Sequence, residues 1–127
     1  MRRIGWKAGP LADWPGPFYV STTRFTYRAA CTIPAVLWNG WQLRRAWEHN
    51  EGAIGLSLMA GFKERTTYTI SVWRSKDDLE RWLRSPAHLR LMRAFRSKLE
   101  SHAADAWTTD RFDLRAAWTE ALRRVGA

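Results

Sequence analysis

His88 is the side chain of this chain with the most chemical promise, because the residues before it set its surroundings. Ser75, with Asp78 three residues later, is a capping-box-like helix start. Ser85 directly before Pro86 is a second N-cap with proline at the first helical position. The pattern predicts a broken helix whose second half carries His88 in its first turn, where the helix dipole and free backbone N–H groups disfavour an imidazolium. A neutral imidazole binds a metal or accepts a proton; the plain alternative is a histidine hydrogen-bonded to a neighbour at a helix end. Met92 and Phe95 follow one and two turns later on the same face, so His88 is expected to look toward the apolar side with these two as walls. Trp82, beside Leu79 and Leu83, is expected to face inward, with core packing as the alternative to a site role. Arg24, amid serine and threonine on a strand, is expected to pair with an anionic group, or else to face solvent or cross a subunit interface.

Other chemistries lack their residues. His49 and His102 stand on separate elements at helix ends, so no histidine pair has metal-ligand spacing. The lone Cys31 forms no internal disulfide and fits a reducing compartment, with the cytoplasm as the expected location. There is no glycine-rich phosphate loop and no nucleophile elbow. The start is basic without an apolar stretch after it, and no apolar run reaches transmembrane length, so neither a secretory signal nor a membrane span is expected. The net charge of +9 is spread as arginines among acidic residues, the pattern of solvated helix faces rather than a phosphate-tracking stripe. Nucleic acid is therefore not the expected partner, whereas peripheral contact with an anionic membrane stays open. Nine tryptophans exceed the needs of one core in 127 residues, and two or three are expected to line a pocket for a flat or extended apolar ligand. Trp38 and Trp41 lie on different sides of one helix, so at least one must face something other than the sheet.

The elements that position these residues follow from periodicity. Residues 1–17, rich in glycine and proline, read as an irregular lead-in to a single domain over 18–127. Aromatic and β-branched residues predict strands at 18–28, 53–62 and 66–73, with a fourth within 104–114. Apolar spacing predicts a helix from Thr32 to about Asn50, the broken helix from Lys76 to about Ser101, and a short C-terminal helix over 115–125. The order β-α-β-β-α-β is the ferredoxin-like α+β plan with a four-stranded antiparallel sheet. Strands apolar on both faces need a cover for the face without helices, and a homodimer closing sheet on sheet is the expected solution.

That order resembles the dimeric α+β barrel superfamily, which holds antibiotic-biosynthesis monooxygenases, haem-degrading monooxygenases and spheroidene-monooxygenase-like proteins. Trp73, Ser75, Leu79, Trp82 and His88 are similar in spacing to the last group. The haem-degrading branch matches less well: its haem-ligating histidine would fall at Leu91 or Met92, and its first-strand asparagine has no counterpart between Phe18 and Arg28. The resemblance implies a small oxygenase-type enzyme acting on an apolar or aromatic molecule in a Trp-rich pocket. It implies a haem-associated oxygenase or a close relative without known function; where haem is bound, His88 is the expected iron ligand, with Arg24 toward a propionate and Trp82, Met92 and Phe95 as walls. The alternatives are a cofactor-free monooxygenase and a non-catalytic protein that binds a lipid-like or aromatic molecule.

Overall fold

The computed structural model describes residues 1–126. Strands β1 (Arg2–Ala8), β2 (Phe18–Tyr27), β3 (Ala53–Gly61), β4 (Thr66–Trp73) and β5 (Leu99–Thr109) form one antiparallel sheet in the order β1-β3-β4-β2-β5. Helices α1 (Thr32–Arg45), α2 (Lys76–Leu83) and α3 (Pro86–Phe95) lie on one face of it, and α4 (Leu114–Val125) lies on the other. The β-α-β-β-α-β core is thus the ferredoxin-like α+β plan read from the sequence.

Two expectations are corrected. The sheet has five strands rather than four, because the supposed lead-in contains β1, paired with β3. An edge strand bonded on one side needs little apolar alternation, and the basic, glycine-containing run Arg2–Ala8 shows little. Its anchor is Trp6, whose indole lies so close over Gly55 that a Cβ there would overlap the ring. The broken helix stops at Phe95, followed by one 3-10 turn (Arg96–Lys98), and β5 begins at Leu99. The alanines and charges of 99–106 look helical by propensity, but pairing along the length of β2 overrides it. His102 therefore stands on a strand, not at a helix exit.

On the sheet's second face Val20, Ile70 and Val72 are fully buried. Within this chain Trp118, Ala121 and Val125 of α4 pack against them. Local chemistry holds α4 there. The Asp113 carboxylate caps its N-terminus by accepting the Ala116 N–H at 2.9 Å. Arg124 bonds Asp105 of β5 at 3.1 Å and Glu120 at 2.7 Å, and its guanidinium lies 4.9 Å from the Trp107 ring centroid.

Candidate functional site

Between the sheet and α1–α3 lies a cavity of about 150 Å³. Its floor carries a row of hydroxyls: Ser21 and Thr23 of β2 and Thr67, Thr69 and Ser71 of β4 all point the same way, because residues two apart on a strand share a face, and apolar Phe25 of β2 and Leu56 and Leu58 of β3 flank them. Its roof is apolar, with Val36, Leu37 and Leu43 from α1 and Leu91, Met92 and Phe95 from α3. The floor hydroxyls are partly spent on one another: Thr23 bonds Thr69, the Tyr27 hydroxyl lies 3.4 Å from Thr67 Oγ1, and the Trp73 indole N–H donates to Ser71 Oγ at 2.9 Å. Burial raises the Tyr27 phenol above its ordinary value, with the Thr67 contact opposing, so this hydroxyl stays protonated.

His88 sits on the wall of this cavity because of the helix break. Ser75 Oγ accepts the Asp78 N–H at 3.3 Å and starts α2; Ser85 Oγ accepts the His88 N–H at 3.3 Å and starts α3. The chain turns between them so that the imidazole returns onto Trp82, ring centroids 4.6 Å apart. Nδ1 lies 2.9 Å from the Leu83 carbonyl oxygen, and since that oxygen only accepts, Nδ1 carries the proton and Nε2 the lone pair. Nε2 makes no hydrogen bond among the described residues. Burial lowers the imidazole pKa below its ordinary value, the Leu83 bond opposing, so the ring is neutral near pH 7.

Behind Trp82 stands an aromatic wall. Trp47 meets Trp73 edge-on at 5.1 Å and Trp82 at 5.5 Å, and Trp73 and Trp82 lie 5.8 Å apart. Trp47 is fully buried on the cavity wall, and its indole N–H has no acceptor among the described residues. A buried donor without a partner costs about 1–3 kcal/mol.

The position of α2 depends on Asp78, which is 1% exposed. Arg74 grips its carboxylate with two bonds of 2.9 Å, Ser75 Oγ donates at 2.8 Å and Arg81 at 3.0 Å. Burial alone would raise its pKa; these bonds outweigh burial and hold it below the ordinary carboxylate value. Gly52, at φ +81°, leaves the space this carboxylate fills, since a Cβ there would overlap it.

The structure therefore brings together His88, Trp82, Met92 and Phe95, and two of the nine tryptophans, Trp47 and Trp82, line the cavity. It takes Arg24 away from them. Thr23 faces the cavity, so its neighbour Arg24 faces α4, where its guanidinium donates to the Val125 carbonyl at 2.8 Å and closes the helix end. Sequence reasoning missed the hydroxyl floor and Trp47. The signal for the floor was there: the alternation over 66–73 places every second residue, Thr67, Thr69, Ser71 and Trp73, on one side of a central strand. No signal marked Trp47, whose unpaired N–H is a product of tertiary packing.

For haem, the fit is partial. Nε2 of His88 is a suitable single ligand, and no group of three or more metal-ligating side chains exists among the described residues. A cavity of about 150 Å³ suits one aromatic ring, whereas a tetrapyrrole has four, and the arginine expected at its propionates lies across the sheet. As these helices stand, the residues do not fit haem.

No protein-family profile matches the sequence, and no curated protein matches it. Solved structures do resemble it. SnoaB, a cofactor-independent oxygenase from Streptomyces nogalater, superposes with a TM-score of 0.59 at 22% identity, covering 78% of this chain and 98% of its own. LmHde, a heme-degrading enzyme from Listeria monocytogenes, gives 0.69 at 16% identity, covering 85% of this chain and 69% of its own. A protein described as an antibiotic biosynthesis monooxygenase gives 0.61 at 12%, covering 75% and 99%. At these identities the likeness is one of architecture, and what it establishes is that the chain has the ferredoxin-like α+β fold these proteins share.

Proposed function

We propose that this protein is a small oxygenase-type enzyme that holds an aromatic molecule between the hydroxyl floor and the apolar roof, with His88 as the proton acceptor. The observation that carries the reading is the state of His88: neutral, its one proton tied to the Leu83 carbonyl, its Nε2 without a hydrogen bond among the described residues, and its ring beside Trp82 among the residues that line the cavity. In that role Nε2 takes a proton from a phenolic substrate, which makes the ring electron-rich enough to reduce dioxygen. When a ring methylene becomes a carbonyl, one oxygen atom enters the product and the other leaves as water with the two hydrogens, so no external reductant is required. The Trp47 N–H holds the substrate oxygen. The fold likeness to a cofactor-independent oxygenase supports this reading, and the resemblance of the Trp73–His88 run to spheroidene-monooxygenase-like proteins supports an apolar substrate.

Oxygen uptake with a panel of hydroxylated aromatic compounds is the test. Wild-type protein is expected to consume oxygen without added metal, and His88→Gln to lose about a hundredfold or more in kcat. Trp47→Phe is expected to raise KM about fivefold, the loss of one hydrogen bond worth about 1 kcal/mol. Saturable binding of these compounds with no oxygen uptake assigns the site to a non-catalytic binder.

Haem is the second reading, and the free Nε2 together with the likeness to a heme-degrading enzyme favours it. It requires α1 and α3 to part. A saturable Soret shift on haemin titration, lost in His88→Ala, would establish it and displace the cofactor-free reading.

A further inference from the structure

The outward side of the helices that roof the cavity has a composition unlike the rest of the molecule. No aspartate or glutamate occurs between Trp14 and Trp47, nor between Arg81 and Lys98, so α1 and α3 contain no acidic residue. Their exposed cations are Arg45 on α1, Arg90 and Arg93 on α3, and Arg96 and Lys98 in the turn that follows. None of these five enters an ion pair among the described residues; of the arginines elsewhere some do, Arg74 and Arg81 with Asp78 and Arg123 and Arg124 with Glu120, and others, such as Arg2, Arg3 and Arg115, do not. The acidic residues that flank these helices in the chain are Glu48 and Glu51 after α1, Asp77, Asp78 and Glu80 on α2, and Glu100 on β5, which pairs with Arg65.

Large apolar side chains stand among the unpaired cations. Trp38 is 63% exposed and Trp41 48% exposed, neighbours one turn apart on the outer side of α1, and Leu89 on α3 is 42% exposed. The sequence required one of the two tryptophans to leave the sheet; in the structure both do. Arg44 lies 5.4 Å from the Trp41 ring centroid while its guanidinium bonds the carbonyl of Gly5 on the edge strand. Trp41 thus stands beside a basic side chain anchored to the edge strand.

From this we infer that the outer face of α1 and α3 docks on an anionic phospholipid surface, with Trp38 and Trp41 seated at the headgroup level and the arginines on lipid phosphates. The chemistry is that of interfacial helices: amphipathic indole rings at the boundary of water and hydrocarbon, flanked by cations drawn to anionic lipid. A nucleic-acid face would use the same cations but leaves the outward tryptophan pair and Leu89 without a role, which is why lipid is the occupant argued. Docking in this pose places the roof of the cavity against the phase in which an apolar molecule concentrates. The inference does not depend on the reaction at His88.

Co-sedimentation of the full chain with vesicles tests it, using phosphatidylcholine alone and phosphatidylcholine with a quarter phosphatidylglycerol, at about 0.15 M ionic strength. Binding is expected only to the anionic vesicles. It is expected to weaken about tenfold in Trp38→Ser/Trp41→Ser and again in Arg90→Glu/Arg93→Glu. All four positions are exposed, and circular dichroism checks that the variants fold. Failure to pellet with anionic vesicles overturns the inference. So does pelleting that the tryptophan variant leaves unchanged, which reduces the contact to general cationic adhesion. Displacement of the protein from anionic vesicles by an equal charge concentration of a single-stranded oligonucleotide reassigns the face to nucleic acid.

Discussion

The imidazole of His88 is defined by three contacts, each traceable to a residue. Ser85 fixes its backbone, the Leu83 carbonyl fixes its tautomer, and Trp82 covers one side of the ring. Because burial lowers its pKa, the neutral form persists below the ordinary value near 6.5. Two consequences separate on a pH axis. The acid limb of any His88-dependent activity is expected at a pH below 6.5 rather than at or above it. Protonation favours the unfolded chain, so the stability contributed by neutral His88 is complete above that value and lost as pH falls toward the lower folded pKa. Denaturant midpoints of wild type and His88→Gln, measured from pH 8 downward to about pH 5, are expected to converge as the pH falls. An acid limb centred well above the free-histidine value would mean that another group carries the proton.

Among the elements, α2 has the most specific attachment, and it is electrostatic. The turn before it supplies Arg74 and Ser75, the helix supplies Arg81, and all three converge on one buried carboxylate over a glycine. If this knot loosens, Trp82 and the start of α3 move with it, and His88 with them. Asp78→Ala is expected to lower the unfolding free energy by about 3 kcal/mol, the lower end for a broken buried pair because Arg74 and Arg81 can turn to water. A depressed carboxyl pKa stabilises the fold at neutral pH, above its unfolded value, and the contribution fades as pH falls through the folded value. The difference between wild type and variant in urea unfolding is therefore expected to shrink in acid. A constant difference would show that Asp78 acts by packing alone.

At the scale of the whole molecule, the decisive feature is that both faces of the sheet are covered within one chain. The cavity face keeps its hydroxyls under three helices, and the apolar face receives α4, with Trp118 fully buried at its centre. Trp118→Ala is expected to cost about 3–5 kcal/mol and, by loosening α4, to expose Val20, Ile70 and Val72. Sedimentation velocity should show the variant associating more strongly than wild type. Equal stability and equal association would mean that α4 does not close this face in solution.

Much of this architecture was legible one element at a time. Capping residues set the breaks at Ser75 and Ser85, and the period-two pattern of 18–28 and 66–73 set the central strands. Local spacing also joined His88 to Met92 and Phe95, because residues one and two turns apart on a helix must share a side. What local spacing does not carry is which side of the sheet a strand residue meets, and what lies there. Arg24 looks like a site residue in the linear chain; pleating sends it to the opposite face, where the end of α4, 101 positions later, takes its hydrogen bond. The edge strand β1, the strand character of 99–106, the covering by α4 and the unpaired donor of Trp47 have the same origin. Each depends on a partner distant in sequence, whose pairing or packing energy outweighs local propensity. The sequence by itself determined the order of elements and the helix break that presents His88; the tertiary structure decided which face each side chain serves, because that choice is made by non-local contacts.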